Sequence, residues 1–276
     1  MSLVSTQEIV KLLKLEKLGW FGRGIANFVM RVLKIKALNT IHANVKDKSG
    51  DDFFASLLEE FHFNYSISDQ DLKKIPKEGS FITVSNHPLG GADGILLLRL
   101  LTEIRPDFKI TGNFILHKIK PITPFVIAVN PFDRDHKGAK RKMGATQLAL
   151  NHIESGGPLG FFPAGQVSTK KENGIYQDRE WSRGAIRIIQ KSQVPVIPIY
   201  FHARNSKKFY FFSKISGLFR SAMLPGELAN KNKHRIDVKI GNLITVEELN
   251  TYANVLDLRK FLREKTYAMS SFYGKL

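Results

Sequence analysis

The residues able to do chemistry in this chain stand where short apolar runs stop. The clearest case is Ser80–Gly94, S-F-I-T-V-S-N-H-P-L-G-G-A-D-G. The run from Phe81 to Val84 predicts a strand, the residues after it a tight loop, and Asp93 the head of a leucine-rich helix. His87 at a strand end and Asp93 near a helix N-terminus, where negative charge is favoured, have the makings of a general base and its orienting carboxylate. Each also has an ordinary reading: a strand-end histidine bonded to backbone, and a first-turn carboxylate.

Three further segments end an apolar run in unusual residues: Asn130-Pro131-Phe132-Asp133-Arg134, Phe161-Phe162-Pro163-Ala164-Gly165-Gln166-Val167-Ser168, and Val194-Pro195-Val196-Ile197-Pro198. In an α/β sheet, ligands collect at the carboxyl ends of strands. The plain alternatives are a surface arginine paired with Asp133 or Asp135, a simple turn, and an interior strand whose prolines mark its start and end. Lys118, Arg179 and Arg183 either add positive charge to a pocket or are solvated. The eight histidines show no metal-ligand spacing, and an arginine interrupts Asp133–His136, so no metal is expected.

The elements that must position these residues follow from pattern. Strands are expected at 80–85, 108–111, 125–129, 159–162, 194–201 and 235–240. Helices are expected at 51–63, 92–104, 113–119, 137–154, 182–191 and 246–267, with 39–50 a polar loop and 64–79 a connector that Ser68 can cap. This alternation predicts an α/β fold: a mostly parallel central sheet flanked by helices. Residues 5–38 interleave Lys and Arg with Leu, Ile, Trp and Phe. They predict two basic amphipathic helices divided by Gly19, Gly22 and Gly24. The expected organisation is therefore an N-terminal amphipathic helical appendage over 1–64 and a catalytic α/β domain over 65–276. The appendage fits a membrane interface, or a hairpin packed on the main domain.

The chain has 276 residues, no cysteine and a net charge of +17. A thiolate nucleophile, a disulfide framework and Cys-ligated metals are thereby excluded. The charge calls for an anionic partner. Residues 1–50 carry nine Lys/Arg against three Asp/Glu, and residues 204–239 carry nine against two. Both stretches are also rich in large apolar groups, and Lys207–Leu224 holds four consecutive aromatics. That combination favours a lipid surface over nucleic acid, for which no recognition motif is present. The longest run free of charged residues, Ser155–Thr169, has fifteen residues. It is shorter than the ~18 needed to span a bilayer. With no secretory pattern at the N-terminus, the expected location is the cytoplasmic side of the cell membrane, peripherally bound.

Taken in order, Asn-His…Asp, an arginine after a strand, Phe-Pro-x-Gly-x-x-Ser and Val-Pro-x-x-Pro resemble the four blocks of the glycerolphosphate and lysophospholipid acyltransferase superfamily. N-H-P-L-G-G-A-D-G, F-P-A-G-Q-V-S and Arg179-Glu180-Trp181 are similar to its hemolysin-like branch, which includes O-acyltransferases of lyso-aminolipids. The resemblance covers roughly residues 65–245. It implies an enzyme that moves a fatty acyl group from acyl carrier protein or coenzyme A to a lysolipid hydroxyl, with no bound cofactor. His87 would be the general base and Asp93 its orienter. Asn86 would position the loop, Arg134 bind an anionic head group, and Pro163, Gly165 and Ser168 form a loop offering donors to the acceptor. The fourth block would line the acyl site.

Two departures matter. The family usually places four residues between His and Asp; here there are five, and Gly90-Gly91 must absorb the extra one. The third block usually has Glu after Phe-Pro; here it is Ala164, which shifts weight from a lysophosphatidic acid acceptor toward a glycine- or ornithine-type lysolipid. The rival reading is a non-catalytic basic protein, hemolysin-like, that binds membranes or nucleic acid.

Overall fold

The computed structural model of the chain describes residues 4–113, 116–117, 119–129, 144–213, 223–224, 226–228 and 235–270. In chain order the elements are α1 (Thr6–Leu12), α2 (Gly19–Val32), α3 (Ile35–Val45), α4 (Gly50–Glu60), β1 (Tyr65–Ser66), α5 (Asp69–Leu72), β2 (Ile82–Ser85), α6 (Gly91–Thr102), β3 (Lys109–Asn113) and β4 (Val126–Val129). They continue with α7 (Ala145–Glu154), β5 (Leu159–Phe161), β6 (Thr169–Lys170), β7 (Tyr176–Gln177), α8 (Arg183–Ser192), β8 (Val196–His202), α9 (Lys207–Ser213), β9 (Ile236–Ile240), α10 (Val246–Asn250) and α11 (Val255–Tyr267).

Two compact units divide the chain: Met1–Asn64 with Asn205–Arg235, and Tyr65–Arg204 with Ile236–Leu276. The basic aromatic segment therefore groups with the N-terminal helices, whereas the sequence reading kept it in the 65–276 domain. Phe209 and Tyr210 of α9 are buried, so its aromatics are partly core. In the first unit, Gly19, Gly22 and Gly24 lie within α2 and do not divide two helices. Gly22, Ala26 and Met30 form its buried face, and Ala26 and Met30 pack with Ile9 of α1 and Ile35 of α3. That packing outweighs the ~1 kcal/mol a helical glycine costs. The breaks fall instead at Leu13–Leu15 and at Leu33–Lys34. The polar stretch after Asn39 continues α3 to Val45, because Ile35, Leu38, Ile41 and Val45 keep helical spacing.

Among the described residues, the second unit holds a seven-stranded sheet of order β1-β9-β8-β2-β5-β3-β4. All pairs are parallel except β8 with β9. This is the expected α/β fold with a mostly parallel sheet flanked by helices. β2 is central and wholly buried, as its unbroken Ile-Thr-Val-Ser run requires of a parallel strand covered on both faces. α6 packs on β3, α7 on β4 and β5, and α11 on β8 and α8. Trp181, Ile186, Ile189, Leu258 and Leu262 fill the core against β2, β5 and β8.

Three features depart from expectation in this unit. The C-terminal helix is two helices, broken before Asn254, whose side chain caps α11 by accepting from the Leu256 N–H. The strand β1 lies in the stretch expected to be a connector, and the short hairpin β6–β7 falls where no element is expected. Pro198 lies inside β8 rather than ending it. β9 stops pairing at Ile199↔Ile240 and the two chains meet again at Val196↔Ile244, so the ladder is interrupted beside the proline's missing N–H. At the interruption Gly241 approaches closely: a Cβ there would lie 2.6 Å from Pro198 Cγ. Gly241→Ala should therefore cost about 1–3 kcal/mol by overpacking, read as a lowered urea midpoint at unchanged m-value.

Candidate active site

The parallel register aligns the ends of three strands. Val84 pairs with Phe161 and Ser85 with Ile199. The residues that follow β2, β5 and β8 therefore share one edge of the sheet, where ligands of such folds bind.

His87 stands two residues beyond β2, its side chain 17% exposed. Asp93, fully buried in the first turn of α6, brings Oδ2 to 3.1 Å from His87 Nδ1. The same oxygen accepts from the N–H groups of Leu89 at 2.8 Å and Gly90 at 3.1 Å. The extra residue between His and Asp is taken up at Gly90, whose φ of 78° and ψ of −126° are open to glycine alone. The turn folds the carboxylate back over the loop that leads into it. The Nδ1–Oδ2 approach lacks the alignment of a full hydrogen bond, and Asp93 Oδ1 is buried without a hydrogen-bond partner. Catalytic contacts of this kind commonly tighten only when substrate binds. The Phe162 ring lies 4.3 Å from the imidazole and forms one wall.

Asn86 is buried, and its amide is committed: Nδ2 donates to the Phe201 carbonyl at 3.0 Å and Oδ1 accepts from the Phe201 N–H at 2.8 Å. It fastens the end of β2 to β8, and so acts on the histidine through the backbone. The third block is also used structurally. Gly165 turns at φ 64° with its N–H donating to Phe162 O, and Pro163 O accepts from the Ser182 N–H. Ser168 donates its N–H to His87 O at 2.8 Å and its hydroxyl to Asp178 Oδ1 at 2.5 Å. The Gly165 N–H, expected to face an acceptor, is taken within its own turn, and the Ser168 N–H and hydroxyl bond to His87 O and Asp178. Arg183 is exposed at the head of α8 and makes no hydrogen bond or ion pair among the described residues. Arg134 and Lys118 lie outside the described residues.

Sequence reasoning missed Asp178. It is fully buried, and its Oδ1 also accepts from the His87 N–H at 3.1 Å while Oδ2 accepts from Trp181 Nε1 at 3.3 Å. Burial pushes its carboxyl above the usual carboxylate range; Ser168, His87 and Trp181 pull it back. Its position just before Arg179-Glu180-Trp181 was the available signal. Lys170 and Arg204 each lie 5.8 Å from the centre of the Tyr176 ring. No group of three or more potential ligands for a metal gathers among the described residues.

A base–carboxylate pair at this edge of the sheet is the apparatus of group transfer to a hydroxyl. A family profile described as "Acyltransferase" matches residues 14–273. The chain belongs to the acyltransferase family. As an acyltransferase it is similar to the lyso-glycine lipid O-acyltransferase of Bacteroides thetaiotaomicron, 26% identical over 84% of this chain and 85% of the relative. It is similar also to the lyso-glycine lipid O-acyltransferase of Phocaeicola vulgatus, 25% identical over 97% of this chain and 95% of the relative. In fold, this acyltransferase is similar to the 1-acyl-sn-glycerophosphate acyltransferase PlsC of Thermotoga maritima, with a TM-score of 0.51, 15% identity and coverage of 98% and 96% of the two chains.

Asn86→Ala strips two buried backbone groups of their partners. It should cost about 2–4 kcal/mol of stability, measured by urea unfolding, and reduce acyl transfer with it.

Proposed function

We propose that this acyltransferase is a lysolipid O-acyltransferase acting at the membrane surface. The observation that carries the reading is the approach of Asp93 to His87 at 3.1 Å across a spacing one residue longer than usual. Asp93 faces Nδ1, which favours the tautomer with its proton on that nitrogen and leaves Nε2 free as base. Nε2 takes the proton of the acceptor hydroxyl as the oxygen attacks the carbonyl carbon of an acyl thioester. The tetrahedral intermediate collapses, the C–S bond breaks, and the departing sulfur takes the proton back from His87. The products are an ester and a free thiol, and the base is regenerated. The acceptor's own hydroxyl plays the part that a serine plays in a hydrolase triad.

The acceptor is proposed to be a lyso-amino-acid lipid of the glycine type. Two relatives named for that activity span most of this chain, and Ala164 removes a carboxylate from the third block. The donor is a fatty acyl thioester of acyl carrier protein or coenzyme A. Arg134 is the proposed ligand for the acceptor's anionic head group, and Lys170 and Arg204 supply cations for the anionic donor.

Peripheral membrane binding rests on the first unit. On and beside α2, Leu18, Phe21, Phe28 and Val32 recur at helical spacing with Ile25; these four and Trp20 are exposed, Trp20 to 84% and Phe28 to 66%. Lys11, Lys14, Lys17, Arg23 and Arg31 surround them. Aromatic and aliphatic groups among cations suit an anionic lipid surface on the cytoplasmic side. Among the described residues, no helix is long and apolar enough to cross a membrane. Because the non-catalytic alternative also binds membranes, the catalytic residues decide between the two.

His87→Ala should abolish acyl transfer from acyl–acyl carrier protein or acyl-coenzyme A to lyso-glycine lipid, while far-UV circular dichroism stays unchanged. Asp93→Asn should leave a residual rate down about 10²–10⁴-fold. Wild-type turnover with neither donor would sink the proposal. In flotation with phosphatidylglycerol vesicles, Trp20→Ser with Phe28→Ser should weaken binding at least about tenfold. Unchanged binding would remove α2 from the membrane contact.

A further inference from the structure

The His87 peptide is held on both of its sides by residues far away in sequence. Its N–H donates to Asp178 Oδ1 at 3.1 Å and its carbonyl accepts from the Ser168 N–H at 2.8 Å. Ser168 and Asp178 are joined to each other through the serine hydroxyl at 2.5 Å. Three residues thus close a ring of hydrogen bonds around the backbone of the base. Asp178 is in turn tied to α11: its N–H donates to the Tyr267 hydroxyl at 2.9 Å, and its carbonyl accepts from Arg263 at 3.3 Å. Trp181 Nε1 completes the set on Oδ2.

The clamp sets three donors on two acceptor oxygens. An asparagine in the same place would keep one oxygen for Ser168 and His87 but would turn its own N–H groups toward Trp181 Nε1. Asp178 is a carboxyl group with no exposed surface, where burying an ion costs several kcal/mol in proteins. The group its charge can serve is the one its oxygen touches through the peptide: His87, which becomes an imidazolium while it carries the acceptor's proton. The charged and titratable groups against this pair are Asp93 at the head of α6, and Tyr267 and Arg263 of α11. Arg263 contacts the Asp178 carbonyl and stacks on the Tyr267 ring at 4.8 Å, and makes no ion pair with the Asp178 carboxyl group.

We infer that Asp178 is a positioning residue for acyl transfer: it fixes the His87 peptide so that the ring meets Asp93, and its buried negative charge stabilises the imidazolium formed during turnover. The inference rests on the assignment of His87 as base. It divides the labour between two carboxylates. Asp93 orients the ring from Nδ1, and Asp178 holds the backbone and adds charge through its contact with the His87 N–H.

The test is the pH dependence of turnover in the full chain, with acyl–acyl carrier protein or acyl-coenzyme A as donor and lyso-glycine lipid as acceptor. Asp178→Asn should lower kcat roughly 30- to 100-fold, the loss expected when a base is displaced by about an ångström, with KM for the acceptor little changed. Removing a negative charge beside an imidazole makes it harder to protonate. The acid limb of kcat/KM should therefore move to lower pH, by about half a unit. Asp178→Glu, which keeps the charge, should leave the limb where it is in the wild type. A loss of rate in Asp178→Asn with no movement of the limb would mean that Asp178 is only scaffold, and would overturn the inference, as would an unchanged kcat. If Asp178→Asn does not fold, Ser168→Ala removes only the hydroxyl from the ring of bonds; it should lower kcat about fivefold at unchanged KM, and an unchanged kcat would also overturn the inference. An inactive His87→Ala beside a fully active Asp178→Asn sinks this inference alone. Full activity in both sinks the assignment of the base itself.

Discussion

The approach of one buried carboxylate to one imidazole constrains everything around it in the catalytic unit. For Asp93 to reach His87, the end of β2 and the start of α6 must be held at fixed separation across a loop one residue too long. Gly90 supplies the backbone conformation, the Leu89 and Gly90 N–H groups satisfy the oxygen that faces the ring, and the first turn of the helix favours the negative charge. None of these can vary independently. A side chain at Gly90 would reopen the turn, and an apolar residue at position 93 would leave the two amide donors without their acceptor.

The fold was largely legible in the sequence because its strands are short, apolar and bounded by turn residues, and several of its helices begin at a side-chain cap, as at Ser68 and Ser182. β2, β4, β5, β8 and β9 all lie where periodicity put them. What was not legible depended on tertiary contact. The glycines of α2 read as a break until Gly22 is seen buried against Leu15 and Leu18, with Ala26 and Met30 beyond it packed on Ile9 and Ile35. Pro198 reads as a strand end until the interrupted pairing of β9 is seen beside it. At the site, His87 and Asp93 were recoverable because both lie within one local strand–loop–helix stretch. Asp178 was not, since a carboxylate ninety-one residues from the histidine's N–H announces nothing by its spacing. For the same reason Ser168 reads as a donor to the acceptor. Sequence shows which polar groups are available, and the structure shows the Ser168 hydroxyl bonded to Asp178 and its N–H to the His87 carbonyl.

Keeping Asp178 charged carries a thermodynamic cost. An acid whose pKa is raised by folding binds its proton more tightly folded than unfolded. The group therefore favours the fold at low pH, and that contribution is lost as pH rises through the ordinary carboxylate range toward the raised value. The Tyr267 phenol, pushed up by burial and by the nearby Asp178 charge, stays neutral and remains a hydrogen-bonding group throughout. Burial thus works against the charged form of Asp178, and ionising it costs the fold stability.

The hairpin β6–β7 has a further consequence. It leaves the site at Ser168 and returns at Asp178, and the bond between those two side chains closes it at the base. Thr169 pairs with Gln177 and Lys170 with Tyr176, and only beyond them does the chain turn, at Gly174. The tip is mechanically insulated from the histidine. Residues can be added, removed or exchanged there without disturbing the base, as they cannot be in the loop between His87 and Asp93. The chain thus separates a loop end fixed at Ser168 and Asp178 from a hairpin tip whose length and sequence are under no such constraint.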